Sequence, residues 1–167
     1  GDTGVVIYSN SVLGARSNFE GGPSELAAGL TGRTPRYGYH LDERRQANLL
    51  LRVACTPTEL HDWGTLGAIV GRIAGDYWQV PALVGIDRVP TSDELKHFGA
   101  ALASFGSVAL FHMAEVTPEA EHCIDPALTV SLPTCRPPIP RRVRPVTIAP
   151  RTSTRATCPL RRFGSPG

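Results

Sequence analysis

Residues 8–23 (Tyr-Ser-Asn-Ser-Val-Leu-Gly-Ala-Arg-Ser-Asn-Phe-Glu-Gly-Gly-Pro) concentrate side chains that can hold a small polar ligand. Asn10, Ser11, Ser17 and Asn18 offer neutral hydrogen bonds, Arg16 a planar fork for a carboxylate or phosphate, and Glu20 a carboxylate. Gly14, Gly21 and Gly22 let the backbone approach a ligand closely. The stretch matches neither a Walker nor a dinucleotide-binding fingerprint, so its chemistry reads as a polar, ligand-facing loop. An ordinary connection in which Arg16 is satisfied by a salt bridge fits the same residues. A second polar group follows at His40, Asp42, Glu43 and Arg44. There His40 can carry a proton or simply be hydrogen-bonded within a turn. His61, His97 and His112 stand alone on expected helices and a strand and read as structural. Cys55, Cys123, Cys135 and Cys158 show no Cys-x-x-Cys spacing, and neither a disulfide framework nor a common iron-cluster motif emerges. Free thiols in a cytoplasmic setting are the expectation.

The elements that must position these groups alternate in type. Residues 4–8, with Val5-Val6-Ile7, are expected to form a buried strand, because β-branched apolar residues run there without alternation. The polar loop would then sit between a strand end and a helix over about 23–30, a place where α/β proteins bind ligands. Residues 47–55 predict a second strand. Thr56-Pro57-Thr58-Glu59 reads as a capping box opening a helix through Leu60, Trp63, Leu66, Ile69 and Val70, whose glycines at 64, 67, 71 and 75 suit a close neighbour. Residues 77–84 are a third strand, Thr91-Ser92-Asp93-Glu94 opens a helix ended by Gly106, and 108–113 form a fourth strand. This alternation predicts an α/β layer with a largely parallel sheet.

A chain of 167 residues with 41% hydrophobic content suits one ordinary domain. No apolar run approaches the roughly 18 residues of a membrane span, and no signal peptide is expected. Without an initiating Met, and opening directly into an apolar run, the chain reads as a piece of something longer. The net charge of +2 conceals an asymmetry. After Ala120 the only acids are Glu121 and Asp125, against eight arginines between 136 and 162, with prolines recurring from 126 onward. Residues 1–120 are therefore expected to be the folded part and 121–167 a Pro/Arg-rich, disordered tail. Such a tail can bind RNA through its charge, yet it lacks interleaved aromatic residues, and no nucleic-acid partner is expected.

Several words, in order, carry a resemblance. They are Asn10-Ser11-Val12-Leu13-Gly14-Ala15-Arg16, Glu20-Gly21-Gly22-Pro23-Ser24, Leu30-Thr31-Gly32-Arg33-Thr34-Pro35 and Tyr37-Gly38-Tyr39-His40-Leu41-Asp42-Glu43-Arg44. Asp62-Trp63-Gly64-Thr65-Leu66-Gly67, Pro90-Thr91-Ser92-Asp93-Glu94-Leu95-Lys96, Gly106-Ser107-Val108-Ala109-Leu110-Phe111-His112 and Val116-Thr117-Pro118-Glu119-Ala120 continue it. This pattern resembles the aconitase X family of hydro-lyases, which dehydrate cis-3-hydroxy-L-proline or phosphomevalonate.

The resemblance implies an aconitase-like layered sheet with flanking helices, here as an incomplete module, and loss of water from a small hydroxy acid. An iron centre would act on the departing hydroxyl while a base removes the proton beside a carboxylate. On this reading Arg16 meets the substrate's carboxylate or phosphate, Asn10 and Ser11 orient it, Glu20 supports Arg16 or holds a hydroxyl, and His40 belongs to the same substrate site. The family's cysteine ligands for iron or an iron–sulfur cluster lie upstream and downstream of the matched words, and its catalytic serine lies in a small swivelling domain or subunit. The chain alone is therefore expected to bind no metal, and to need that subunit and the missing large-subunit segments for turnover. A truncated, inactive remnant or small-acid-binding module is the alternative.

Overall fold

The computed structural model describes residues 2–125. They form helices α1 (Thr3–Val12) and α2 (Gly22–Thr31), two 3-10 turns (Gly38–His40 and Asp42–Arg44), strand β1 (Leu49–Arg52), α3 (Leu60–Ala74), β2 (Pro81–Val84), α4 (Ser92–Gly106), β3 (His112–Met113) and α5 (Ala120–Cys123). The sheet is three-stranded, parallel throughout and ordered β1-β2-β3. Leu51 pairs in register with Leu83, and Leu83 with Met113. The expected α/β class with a parallel sheet is what the chain adopts.

The first segment differs from its expected form: residues 3–12 are helical. Asp2 caps them, its Oδ1 accepting from the amides of Gly4 (2.8 Å) and Val5 (3.4 Å). The β-branched run Val5-Val6-Ile7 favours a strand locally, but Ile7, Asn10 and Ser11 recur at helical spacing and are the buried face. Gly4 and Gly99 admit the close contact with α4, where a Cβ on Gly99 would sit 3.3 Å from Ile7 Cγ2. Tertiary packing overrides local propensity here. The polar loop of residues 13–21 thus connects two helices instead of leaving a strand end.

The expected capping box at Thr56–Glu59 lies one turn further on. Glu59 is the N-cap, and its own amide donates to Asp62 Oδ2 at 3.1 Å. Thr56 is held elsewhere, because its Oγ1 accepts from the Asp87 amide at 3.0 Å. The box at Thr91 forms as expected: Thr91 Oγ1 accepts from the Glu94 amide, and Glu94 Oε2 accepts from the Thr91 amide at 2.8 Å. As expected, α4 ends at Gly106, its last helical residue, and Ser107 takes the left-handed cap with φ 56°. The glycine at 106 also serves a steric purpose. A Cβ at Gly106 would lie 2.3 Å from Gly71 O on α3. Of the strand expected at 108–113 only His112 and Met113 pair with β2. Residues 108–111 are buried but bond to α1, with Phe111 N donating to Ser11 Oγ at 2.9 Å.

The main core joins Ile7 of α1, Leu51, Leu83 and Met113 of the sheet, Trp63 and Val70 of α3, and Phe98 and Leu102 of α4. Trp63, Phe98 and Phe111 meet edge to face. By contrast α2 buries none of its residues, and Leu26 and Leu30 are 64% and 78% exposed. The short α5 occupies the start of the stretch expected to be a Pro/Arg-rich tail. The rest of that expected tail, 126–167, lies outside the described residues.

Glu94 also receives a two-pronged bond from Arg88, at 2.6 and 2.8 Å. That pairing, with the Thr91 amide, lowers its pKa from the ordinary 4.5 to about 2. Between those values the unfolded chain binds more protons than the folded one. This contribution is therefore complete above the unfolded pKa and lost as pH falls towards 2. Urea midpoints measured from pH 7 to 3 are expected to fall more steeply for the wild type than for Glu94→Gln. Parallel curves would remove Glu94 as the acid-sensitive group.

Candidate functional site

Two polar centres stand on either side of the 3-10 turns. The first is built on Asn18 in the loop. Its Oδ1 accepts from the Tyr39 amide (2.8 Å) and the Tyr77 hydroxyl (2.9 Å), and its Nδ2 donates to Glu20 Oε1 (3.1 Å) and Tyr37 O (3.3 Å). His40 joins this centre. Its Nδ1 lies 2.8 Å from Pro35 O, which fixes the hydrogen there, and its Nε2 faces Asn18 Nδ2 at 3.5 Å and Glu20 at 3.9 Å. The Tyr39 hydroxyl donates to the Tyr77 carbonyl. Burial raises both phenols, Tyr77 to about 12 and Tyr39 further, so neither ionises near neutral pH. Gly38 makes the centre possible, since it has φ 57° and a Cβ there would lie 2.1 Å from Asn18 Oδ1. Gly38→Ala is expected to cost about 2 kcal/mol through left-handed strain and the displaced amide, read from urea unfolding. An unchanged midpoint would show that Asn18 is not needed where it stands.

The second centre is built on Arg45, a residue to which the sequence reading gives no role. It is 1% exposed. Its Nε donates to Glu119 Oε2 (2.7 Å), Nη1 to Tyr39 O (3.1 Å) and Nη2 to Asn10 O (3.0 Å). Its own carbonyl lies 2.7 Å from His112 Nε2. Nothing in the Arg44-Arg45 doublet marks which residue turns inward; the 3-10 turn that ends at Arg44 decides. Arg16 approaches from the loop and pairs with Asp42 at 2.5 Å and Glu119 at 3.6 Å. Together with Gln46, His122 and Cys123 these groups line a cleft of about 280 Å³. Burial, then Glu119, pushes the Cys123 thiol up, and burial keeps His112 neutral.

The structure thus brings Glu20 and His40 to one centre and Arg16 to the other. Asn10 and Ser11 lie beneath both and are buried. Asn10 Nδ2 donates to Ser17 O (2.8 Å) and Ala109 O (3.1 Å), and its Oδ1 accepts from Ser17 N and Oγ. Ser11 Oγ is engaged by Phe111 N, so both side chains join α1 to residues 109–111, and Asn10 also ties the loop at Ser17. Of the five, Arg16 has the most exposed charge, with 42% of its side chain accessible and Asp42, its partner, 83% accessible.

A family model for the aconitase X first domain matches residues 1–43, and one for the aconitase X second domain matches residues 47–133. The phosphomevalonate dehydratase large subunit of Methanothermobacter thermautotrophicus is 51% identical over 118 residues, which is 71% of this chain but 29% of that protein. The cis-3-hydroxy-L-proline dehydratase of Pseudomonas aeruginosa is 42% identical over 121 residues, 71% of this chain and 20% of that protein. The crystal structure of Thermococcus kodakaraensis aconitase X in its holo-form superposes with a TM-score of 0.68 at 39% identity, covering 78% of this chain and 33% of that one. The chain therefore spans about a third or less of the length of these relatives.

Proposed function

This chain belongs to the aconitase X family, and we propose that it is the part of a dehydratase large subunit that receives the substrate's anionic group at Arg16. The observation that carries the reading is the 51% identity to a phosphomevalonate dehydratase large subunit. The substrate class is a small hydroxy acid, phosphomevalonate or cis-3-hydroxy-L-proline. The reaction is loss of water to leave a carbon–carbon double bond.

What this chain can do for that reaction follows from its own groups. Arg16 already holds a carboxylate, that of the exposed Asp42. Exposed ion pairs are worth about 0–1 kcal/mol, so a substrate carboxylate or phosphate can take the place of Asp42 at little cost. Glu119 behind it keeps the guanidinium oriented. Asn10 and Ser11 orient the substrate beside Arg16, Asn10 also tying the loop at Ser17, and Glu20 and His40 form the second polar wall.

The donor set for an iron–sulfur cluster does not fit the described residues. Their cysteines are Cys55, exposed, and Cys123, buried, and a cluster takes several thiolates together. Iron chemistry, the proton-removing base and closure of the site are accordingly assigned to groups other than the described residues, a small-subunit partner and the rest of a large subunit among them. Free thiols agree with a cytoplasmic setting. Among the described residues no helix is long and apolar enough to cross a membrane.

The test is dehydration of phosphomevalonate and of cis-3-hydroxy-L-proline by the chain, with and without a small subunit and the remaining large-subunit segments. Turnover is expected only in the reconstituted sample, and Arg16→Ala there should lower kcat/KM at least about 100-fold, the scale of a lost charged contact. No turnover in any reconstitution would favour the small-acid-binding module. An Arg16→Ala enzyme of full activity would move the anion site elsewhere.

A further inference from the structure

His112 has a nitrogen that the fold does not use. The ring is fully buried, and its Nε2 lies 2.7 Å from the Arg45 carbonyl oxygen. A carbonyl only accepts, so Nε2 carries the hydrogen and Nδ1 carries the free lone pair. Nδ1 is shielded from solvent and has no hydrogen-bond partner. A buried polar atom left in this way calls for an explanation, and an ion is one of the standard ones.

Glu119 and Cys123 stand beside the ring. A ring nitrogen of His112, a carboxylate oxygen of Glu119 and the Cys123 Sγ all lie within 4.8 Å of one another. The placement is built by short-range structure. Thr117 ties the turn after β3, with its Oγ1 accepting from Met113 N at 2.9 Å. Glu119, the N-cap of α5, and Cys123 are one helical turn apart on the same face. The Cys123 carbonyl accepts from the Ala47 amide at 2.8 Å, which fastens the end of α5.

We propose that His112, Glu119 and Cys123 form a three-ligand site for Zn²⁺, its fourth position open to the cleft lined by Arg16, Gln46 and His122. The proposal is independent of the dehydratase reading and uses none of the cysteines that the family resemblance assigns to iron. One nitrogen, one carboxylate oxygen and one thiolate are a zinc donor set, whereas Mg²⁺ and Ca²⁺ take oxygen ligands. Arg45 supplies the outer support such sites carry. Its carbonyl fixes the histidine tautomer, and its Nε holds Glu119 Oε2, while Oε1, 3.6 Å from Arg16 Nη2, is shared between that guanidinium and the ion. Zinc bond lengths place tetrahedral N and S donors about 3.5 Å apart, so the three groups need to close by about 1 Å. That closure falls to the Cys123 side chain, because Glu119 Oε2 is held by Arg45. Glu119 and Asp42 already balance Arg16 and Arg45, and Cys123 rests as a thiol, so Zn²⁺ binding releases the Cys123 proton to solvent.

The experiment is a Co²⁺ titration of the full, reduced chain followed by absorption, then displacement by Zn²⁺. One equivalent of Co²⁺ should give a thiolate-to-cobalt charge-transfer band, and Zn²⁺ should abolish it stoichiometrically. Cys123→Ser, a near-isosteric change checked for folding by circular dichroism, should weaken binding more than the roughly 10–100-fold cost of losing an outer-shell partner. Cys55→Ser, Cys135→Ser and Cys158→Ser should each leave the band intact. The site does not exist if the wild type shows no thiolate band. It is misplaced if the band survives in Cys123→Ser or disappears in one of the other three.

Discussion

Replacing Arg45 by methionine is expected to destabilise the protein by about 3–5 kcal/mol, the cost of breaking a buried charged pair by removing one partner. The side chain is 1% exposed, and its loss leaves the carbonyls of Asn10 and Tyr39 without this donor and the Glu119 carboxylate with only the longer Arg16 contact. Methionine fills much of the volume, so the loss measured is that of the hydrogen bonds and not of a cavity. Arg45→Lys should recover little of it, because one ammonium cannot reach three acceptors that the flat guanidinium meets at once. Urea unfolding followed by tryptophan fluorescence measures both variants. A loss below about 1 kcal/mol for Arg45→Met would mean that water satisfies these groups and that Arg45 is no hub.

Gly106→Ala is expected to have an effect of similar size. Its Cβ would meet Gly71 O at 2.3 Å and Gly71 Cα at 2.6 Å, atoms of a helix backbone that no side-chain rotation can move aside. Gly67 is set the same way against Phe98 O at 2.4 Å. Overpacking costs about 1–3 kcal/mol where side chains can shift, and here the two helices themselves must part. A loss at or beyond the top of that range is expected, with Gly29→Ala as the control. Gly29 lies on α2, where an added Cβ would meet no atom within 4 Å, so its replacement should be neutral or stabilising. Equal midpoints for Gly106→Ala and Gly29→Ala would show that α3 and α4 are not held this closely in solution.

Helices α3 and α4 are readable from the sequence because apolar spacing, glycine recurrence and the Thr91–Glu94 box all agree. The parallel order follows from the alternation of the later elements. Residues 3–12 mislead because three β-branched or apolar residues in a row speak louder than the cap at Asp2 and the spacing of Ile7, Asn10 and Ser11. At the candidate site the polar loop itself is visible, since polar and glycine residues cluster there. Which of its polar groups face inward is not, because that depends on partners about a hundred residues away: Asn10 reaches Ala109 O, and Ser11 meets Phe111 N. Arg45 is hidden for the same reason. Its three acceptors come from residues 10, 39 and 119, a convergence that no local pattern records.

Helix α2 follows directly on the Arg16 loop, has no side-chain cap at Gly21 and buries no residue. A helix of this length standing by itself is marginal in water, since nucleation is costly and little packing rewards it. It is therefore expected to open at lower free-energy cost than α3 and α4, whose faces are packed in the core. A surface laid across Leu26 and Leu30 would consequently do more than bind there. By ordering α2 it would also restrict the loop to which the helix is joined, so affinity at Arg16 and occupancy of that face would be thermodynamically linked, each raising the other by the same factor.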